Sequence, residues 1–508
     1  MNLSRASLSQ ISDKSLQVPS EKILQLPEKV LQFGTGVLLR GLPDFFIDKA
    51  NKQGIFNGRV VVVKSTSQGG TDAFAAQDGL FTQCIKGLEG DTKIEEHIVN
   101  ASISRVLSAK EQWNEILECA ANPEIEIVIS NTTEVGITLV KEDRITARPP
   151  TSFPGKLLAF LYQRYQAFNG DAAKGMTVIP TELIVDNGKK LKAIVLELAR
   201  LNDLDNAFIN WVDTSNYFCN SLVDRIVPGK LPATELEAFQ EAFNYKDELM
   251  IMSESYGLWA IEAGDEIIKE RLSFHRADSG VVIAPDINKF RELKLRILNG
   301  THTLTCALAY LAGCITVKEA MDDEVISGYV TALMVTEIAP AIVTSCLSLS
   351  EAKAFAEKVR DRFRNPFIEH KWLSISVQYS SKMKLRNVPI LLKHYEVEGS
   401  VPQLMALGFA AYILFMRCIK SGDHFMSTAT RKEYTIQDDH AYWFADRNEL
   451  TGSELVQAVL ANTEFWGNDL SLLPGFTKAV SEKYKQLKYG QVKHTISACL
   501  SENVLSAR

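Results

Sequence analysis

Lys29-Val-Leu-Gln-Phe33, followed directly by Gly34-Thr35-Gly36-Val37-Leu38-Leu39, is the stretch on which the fold turns. The first five residues form an apolar run of strand type, and the residues after the glycines, from Leu38 to Ala50, carry the spacing of a helix. Strand, glycine turn, helix is the context a dinucleotide fingerprint requires. Gly34 permits the tight turn and Gly36 lets the backbone approach a pyrophosphate. The helix N-terminus then offers N–H groups and the positive end of its dipole. The third glycine position of that fingerprint holds Leu39, so the motif is incomplete, and an ordinary tight turn has the same local sequence.

Working outward, residues 23 to 185 alternate short strand candidates with helical stretches, the pattern of a parallel sheet with crossover helices. Strands are expected at Lys29 to Phe33, Arg59 to Lys64, Glu126 to Ser130 and Met176 to Thr181. Arg59-Val-Val-Val-Val-Lys64 is the clearest, since an unbroken β-branched run suits a strand buried on both faces. In a dinucleotide fold the end of that strand selects the cofactor through the adenosine ribose. Here it reads Lys64-Ser65-Thr66, without Asp or Glu; a base there is as compatible with a 2′-phosphate, so NAD and NADP both stay open. Ser130-Asn131-Thr132-Thr133-Glu134 follows the third strand at the edge where such folds place their ligand. It is either part of a nicotinamide pocket or a turn capped by its own side chains. The candidate cofactor-binding residues are thus Phe33, Gly34, Thr35, Gly36, Lys64, Ser130, Asn131, Thr132 and Glu134.

Beyond Pro285 the periodicity becomes helical, near 289 to 312, 317 to 347, 350 to 362, 401 to 420 and 453 to 486. The expected class is therefore α/β: a Rossmann-like NAD-binding domain over residues 1–285, then a largely α-helical catalytic and substrate domain over 286–508. The second domain opens with Lys294-Leu-Arg-Ile-Leu-Asn299-Gly300-Thr-His302. On an ordinary helix, at 100° per residue, Asn299 and His302 stand roughly 140° and 80° around the axis from Lys294. All three could lean toward one cleft. A lysine with its pKa lowered by burial can exchange a proton near neutral pH while an amide and an imidazole hold a carbonyl oxygen. The competing reading is a solvated lysine on an amphipathic helix beside a core histidine.

The 508 residues are too many for one core and ample for two domains. With 46% hydrophobic and 23% charged residues the chain is ordinary for a soluble protein, and a net charge of −7 argues against nucleic acid as a partner. Eight cysteines are scattered without a C-x-x-C pair or a His/Cys cluster at metal-ligand spacing, as in a cytoplasmic protein with reduced thiols and no metal. Met1 to Lys22 lacks the apolar stretch of a secretory signal. The most apolar window, Leu404 to Met416, is too short to span a bilayer and reads as a buried helix, so no membrane association is expected.

Six motifs in order then become informative together: Phe33-Gly34-Thr35-Gly36; Gln77-Asp-Gly-Leu-Phe-Thr82; Ser130-Asn-Thr-Thr-Glu134; Asn220-Ser-Leu-Val-Asp-Arg-Ile226; Leu258-Trp-Ala-Ile-Glu262; and Lys294-x4-Asn299-x2-His302. In this order, from about residue 25 to 490, the chain resembles the mannitol dehydrogenase family of polyol-specific long-chain dehydrogenases. Within it, Pro180-Thr-Glu-Leu-Ile184 and Val60-Val-Val-Val-Lys-Ser-Thr66 are similar to the branch acting on sugar acids. The resemblance implies an NAD-dependent oxidoreductase that interconverts a ketone and a secondary alcohol on a small sugar acid without a catalytic metal. Lys294 would be the acid/base, and Asn299 and His302 its partners at the reacting oxygen. Three departures accompany it. Val37-Leu38 replaces a polar pair in the glycine turn, and Glu182-Leu183 replaces the Asp-Asn pair of mannitol-type members. Around 370 to 390 the match is loose; there a sugar acid needs a cation, and Lys382 and Arg386 are the candidates, the alternative being a basic exposed face. Fructuronate or a neutral hexitol as substrate within the same family, or a cofactor-binding redox sensor without catalysis, are the competing functions.

Overall fold

The computed structural model of the chain describes residues 1–11, 13–65, 71–132, 136–429 and 433–506. It divides into two compact units, one of Met1–Gly87 with Lys93–Ile287, the other of Leu88–Thr92 with Asn288–Arg508.

The first unit is built on a six-stranded parallel sheet. Its strands are β1 (Glu28–Phe33), β2 (Arg59–Lys64), β3 (Ile103–Ser108), β4 (Ile127–Ser130), β5 (Thr177–Pro180) and β6 (Tyr217–Phe218). They lie in the order β3-β2-β1-β4-β5-β6. This is the doubly wound order of a Rossmann fold, in which the strand sequence reverses direction beside β1. Alternation along the strands explains the apolar runs. Leu31, Phe33, Val61, Val63, Val128 and Val178 enter one core with the helices Phe153–Ala167 and Asn187–Leu201. Val30, Val60, Val62, Ile127, Ile129 and Ile179 enter the other with the helix Pro43–Lys52. Every residue of β2 is buried, which is what a β-branched run between two helical layers requires.

The expected continuous helix from Leu38 to Ala50 is instead two segments, Val37–Gly41 and Pro43–Lys52. Pro43 restricts the residue before it and has no N–H to give, so Leu42 leaves the helical region, at φ −129° and ψ −75°. Two smaller sheets were not anticipated. One joins Leu16–Gln17, Thr92–Asn100, Phe81–Glu89 and Ile251–Glu254, and the other Ser221–Asp224, Leu258–Glu262 and Val281–Ala284.

The second unit is largely helical, with one antiparallel ribbon of Cys418–Ser421 and His424–Ser427. The apolar window forms the helix Gln403–Phe415, in which every residue from Leu404 onward is buried. Its first turn is capped from outside, because the Glu337 carboxylate accepts from Leu404 N at 2.8 Å and Met405 N at 2.7 Å. Three segments of this unit, Leu293–Gly300, Leu333–Ile338 and Met383–Asn387, are π-helical. Among the described residues no helix is long and apolar enough to cross a membrane, and no group of three His, Cys, Asp or Glu could hold a metal.

Candidate active site

In the first unit the strand register sets out a row of loop starts. Phe33 pairs with Val63 and Ser130, and Ser130 pairs with Pro180. Gly34, Lys64, Asn131 and Thr181 therefore begin side by side at the carboxyl edge of the sheet, where doubly wound folds take their ligands. Gly34 N donates to Val63 O at 3.0 Å and Asn131 N to Phe33 O at 3.1 Å. The two glycines have different duties. Gly34 sits at φ +127°, and a Cβ there would lie 2.8 Å from Asn131 O and from Leu39 Cδ1; only glycine closes this turn. Gly36 has ordinary angles, φ −63° and ψ 156°, and a Cβ on it would meet nothing within 4 Å. The room beside it opens where Val37–Gly41 begins, a cradle that suits a pyrophosphate approaching the backbone. Leu39, at the third fingerprint position, is fully buried.

Phe33 is wholly buried, its ring 5.1 Å from that of Phe153, so its backbone alone belongs to the edge. Lys64 is buried at the end of β2, and Thr35 is partly exposed. Glu134, like Thr133, lies outside the described residues. The segment Ser130-Asn131-Thr132 is tied to the end of β5 by Glu182, which the sequence analysis treated only as a departure from other members. The buried Glu182 carboxylate accepts from Ser130 Oγ at 3.1 Å, Thr132 N at 3.0 Å and Thr132 Oγ1 at 3.0 Å. Asn131 Nδ2 adds bonds to Thr181 O at 3.1 Å and Thr181 Oγ1 at 3.0 Å. These side chains cap their own turn and simultaneously shape the edge. Leu183, next to Glu182, is 60% exposed.

In the second unit Lys294, Asn299 and His302 fall on the π-helix Leu293–Gly300 and the first turn of the helix Thr301–Leu311. This corrects the angular estimate made for an α-helix. With i→i+5 bonding the backbone makes roughly 4.4 residues per turn, so Asn299 comes within about 50° of Lys294 instead of 140°. The π turn brings the lysine and the amide closer together around the helix axis. It is braced by the neighbouring π segment: Asn387 Nδ2 donates to Gly300 O at 2.9 Å, and Arg296 to Leu385 O at 2.8 Å and Arg386 O at 3.1 Å. Gly300 lets the segments approach, since a Cβ would sit 3.1 Å from Ile390 Cδ1 and 3.3 Å from Asn387 Nδ2.

Lys294 and Asn299 are partly exposed, whereas His302 is buried with its ring stacked on Phe363 at 3.9 Å and 8°. Nε2 of His302 finds no hydrogen-bond partner among the described residues. Burial, and then His370 when it is protonated and the charges of Arg362 and Arg386, hold this imidazole far below the usual histidine pKa, so it is neutral at pH 7. Arg386 NH1 donates to Thr303 Oγ1 at 3.1 Å, one residue past His302. Lys382 Nζ donates to Ile375 O at 2.7 Å, and burial and then Arg386 lower its pKa. Arg386 thus acts on His302 and Lys382 on the adjoining His370, and both side chains are partly buried. Arg362, Phe363 and His370, which no sequence motif marks, are brought to His302 by the helix Leu349–Arg364 and the loop after it. Only the loose match around 370 to 390 pointed toward that region.

The model of the mannitol dehydrogenase Rossmann domain matches residues 28–273, and that of the mannitol dehydrogenase C-terminal domain matches residues 286–488. The chain belongs to the mannitol dehydrogenase family. Among curated members it is similar to the altronate oxidoreductase of Bacillus subtilis (strain 168), with 37% identity over 90% of this chain and 92% of that one. A similar relation holds to the altronate oxidoreductase of Pectobacterium carotovorum, 37% identical over 91% and 95% of the two chains. Two solved structures share the fold. Pseudomonas fluorescens mannitol 2-dehydrogenase, in ternary complex with NAD and D-mannitol, matches with TM-score 0.70 and 23% identity over 99% of this chain and all of the other. A substrate-free D-sorbitol dehydrogenase matches with TM-score 0.77 and 19% identity over 98% and 100%.

Proposed function

We propose that this member of the mannitol dehydrogenase family is an NAD-dependent altronate oxidoreductase of the cytoplasm that interconverts altronate and its keto acid, tagaturonate. The observation that supports the choice of a sugar acid over a neutral polyol is the cationic character around the buried imidazole, with Arg362 and Arg386 acting on His302 and Lys382 on the adjoining His370. The identity of 35–37% to altronate oxidoreductases over about 90% of the chain supports the same choice.

Bound at the Gly34–Gly36 turn, NADH supplies the hydride for ketone reduction. Gly34 keeps the turn closed, Gly36 leaves room for the pyrophosphate, and Ser130, Asn131 and Thr132, pinned by Glu182 and Thr181, line the neighbouring edge. Asn299 and the neutral His302 donate hydrogen bonds to the reacting oxygen. The Lys294 ammonium protonates that oxygen as it becomes an alkoxide; in the oxidative direction neutral Lys294 takes the hydroxyl proton. Lys382 and Arg386 receive the substrate carboxylate. No residue in this scheme calls for a metal.

The test is NADH consumption with tagaturonate, fructuronate and fructose in parallel, repeated with NADPH and with Lys294→Ala. Turnover confined to tagaturonate, with kcat reduced about 10²–10⁴-fold in Lys294→Ala and NADH binding retained, is the expected result. Preference for fructose would refute the sugar-acid assignment. Wild-type protein that binds NADH but turns over none of the three would favour the sensor.

A further inference from the structure

The π segment that carries Lys294 and Asn299 is pinned by one short stretch, Leu385-Arg386-Asn387, of the π segment Met383–Asn387. Arg296 makes the first tie. Its Nη1 donates to Leu385 O at 2.8 Å and to Arg386 O at 3.1 Å. The residue four on from Leu385 is Pro389, which has no N–H, so this carbonyl lacks its α-helical donor and the guanidinium takes that place. The other side of the guanidinium is bound to Glu292, with Nε to Oε2 at 2.9 Å and Nη2 to Oε1 at 3.4 Å. A planar fork aimed by a carboxylate can serve all these acceptors at once, as a lysine cannot. The return ties end at Asn299 and Gly300. Asn387 Nδ2 donates to Gly300 O at 2.9 Å. Arg386 Nη1 donates to Thr303 Oγ1 at 3.1 Å, and that hydroxyl donates to Asn299 O at 2.7 Å. Thr303 and Asn387 are fully buried, and the Arg296 side chain is 12% exposed. Arg296 therefore closes a ring of hydrogen bonds around the backbone of Asn299. Without it the segment is free to take i→i+4 bonding, which turns Asn299 back to roughly 140° from Lys294.

Resting on the roles given above to Lys294 and Asn299, we propose that Arg296 is a positioning residue of the reaction, holding the π register that brings the Asn299 amide and the Lys294 amine to one oxygen. It acts through Asn299 and not on the substrate. Glu292 aims it, and the carbonyl left open by Pro389 receives it.

A kinetic double-mutant cycle tests this: wild type, Arg296→Ala, Asn299→Ala and the double variant are assayed for tagaturonate reduction by NADH, together with Arg296→Lys. Misplacing a reacting group by about 1 Å costs about 10²-fold, so kcat should fall by about 10²-fold in Arg296→Ala while KM and NADH affinity stay within about threefold. Arg296→Lys, which keeps the charge and loses the fork, falls between wild type and Arg296→Ala. In the Asn299→Ala background the loss of Arg296 should cost less than about threefold, because the group it positions is already gone. A residue that only stabilises the fold adds its full loss in either background, so multiplicative losses overturn the proposal, as does a raised KM at unchanged kcat. If Arg296→Ala does not fold, Arg296→Lys replaces it in the cycle with the same criteria. Asn299→Ala with wild-type kcat refutes the role given to Asn299 and the proposal with it. A wild type silent on tagaturonate refutes only the choice of substrate, and the cycle is then run on the ketone it does reduce.

Discussion

Removing the Glu182 carboxylate tests whether the ligand edge of the first unit is held together as described. Glu182 is 3% exposed and accepts three hydrogen bonds, from Ser130 Oγ and from the N and Oγ1 of Thr132, at 3.0–3.1 Å. Bonds to a charged acceptor contribute about 1.5–3 kcal/mol each, so Glu182→Ala forfeits about 4–9 kcal/mol before relaxation. Asn131 and Thr132 are only partly buried, and water can recover part of that. A net cost of about 3–5 kcal/mol is expected, in the range for breaking a buried charged network. At about 2–4 °C per kcal/mol for a unit of this size, the unfolding transition of the first unit falls by roughly 10 °C. Glu182→Gln behaves differently. Its Oε1 can still accept from Thr132, and the Ser130 hydroxyl can turn to accept from the new amide, so about 1 kcal/mol is lost. Differential scanning calorimetry with and without NADH reads both effects, because an edge that loosens also loses ligand stabilisation. A shift below about 2 °C in Glu182→Ala, with NADH stabilisation intact, would refute this account of the edge.

The glycine turn allows a paired test: Gly34→Ala must lower the melting temperature because its Cβ meets Asn131 O and Leu39 at 2.8 Å and φ is +127°, whereas Gly36→Ala should leave stability within about 0.5 kcal/mol and weaken NADH, since its Cβ occupies the open cradle. Calorimetry and NADH fluorescence separate the two, and a destabilised Gly36→Ala would contradict the cradle. In the second unit burial lifts Glu337 to about 7, against the pull of the Leu404 and Met405 N–H groups and of Lys483. A folded pKa above the unfolded value of about 4.3 means that the stability from this group is full below pH 4.3 and is lost as pH rises through 7, amounting to about 4 kcal/mol. Urea midpoints between pH 5 and 8 should therefore decline less steeply in Glu337→Gln than in wild type; identical slopes would assign the titration elsewhere.

What the sequence by itself determined was whatever local periodicity and turn chemistry encode: four of the six parallel strands, Glu28–Phe33, Arg59–Lys64, Ile127–Ser130 and Thr177–Pro180, the glycine turn, the buried helix Gln403–Phe415 and the change to helices beyond Pro285. A β-branched run such as Val60–Val63 can satisfy its two apolar faces only between helical layers, so its environment is written into it. The order of motifs likewise carried the family. Only the tertiary structure decided the rest, because it depends on groups far apart in the chain. The π turn that brings Asn299 toward Lys294 around the helix axis is braced by Asn387 and by the carbonyls of Leu385 and Arg386. Glu182 becomes a hub through donors on another strand, and Phe363 and His370 reach His302 from a separate helix and its following loop. None of these has a local signature, since packing between distant segments, and not the propensity of either, sets the distances on which the chemistry rests.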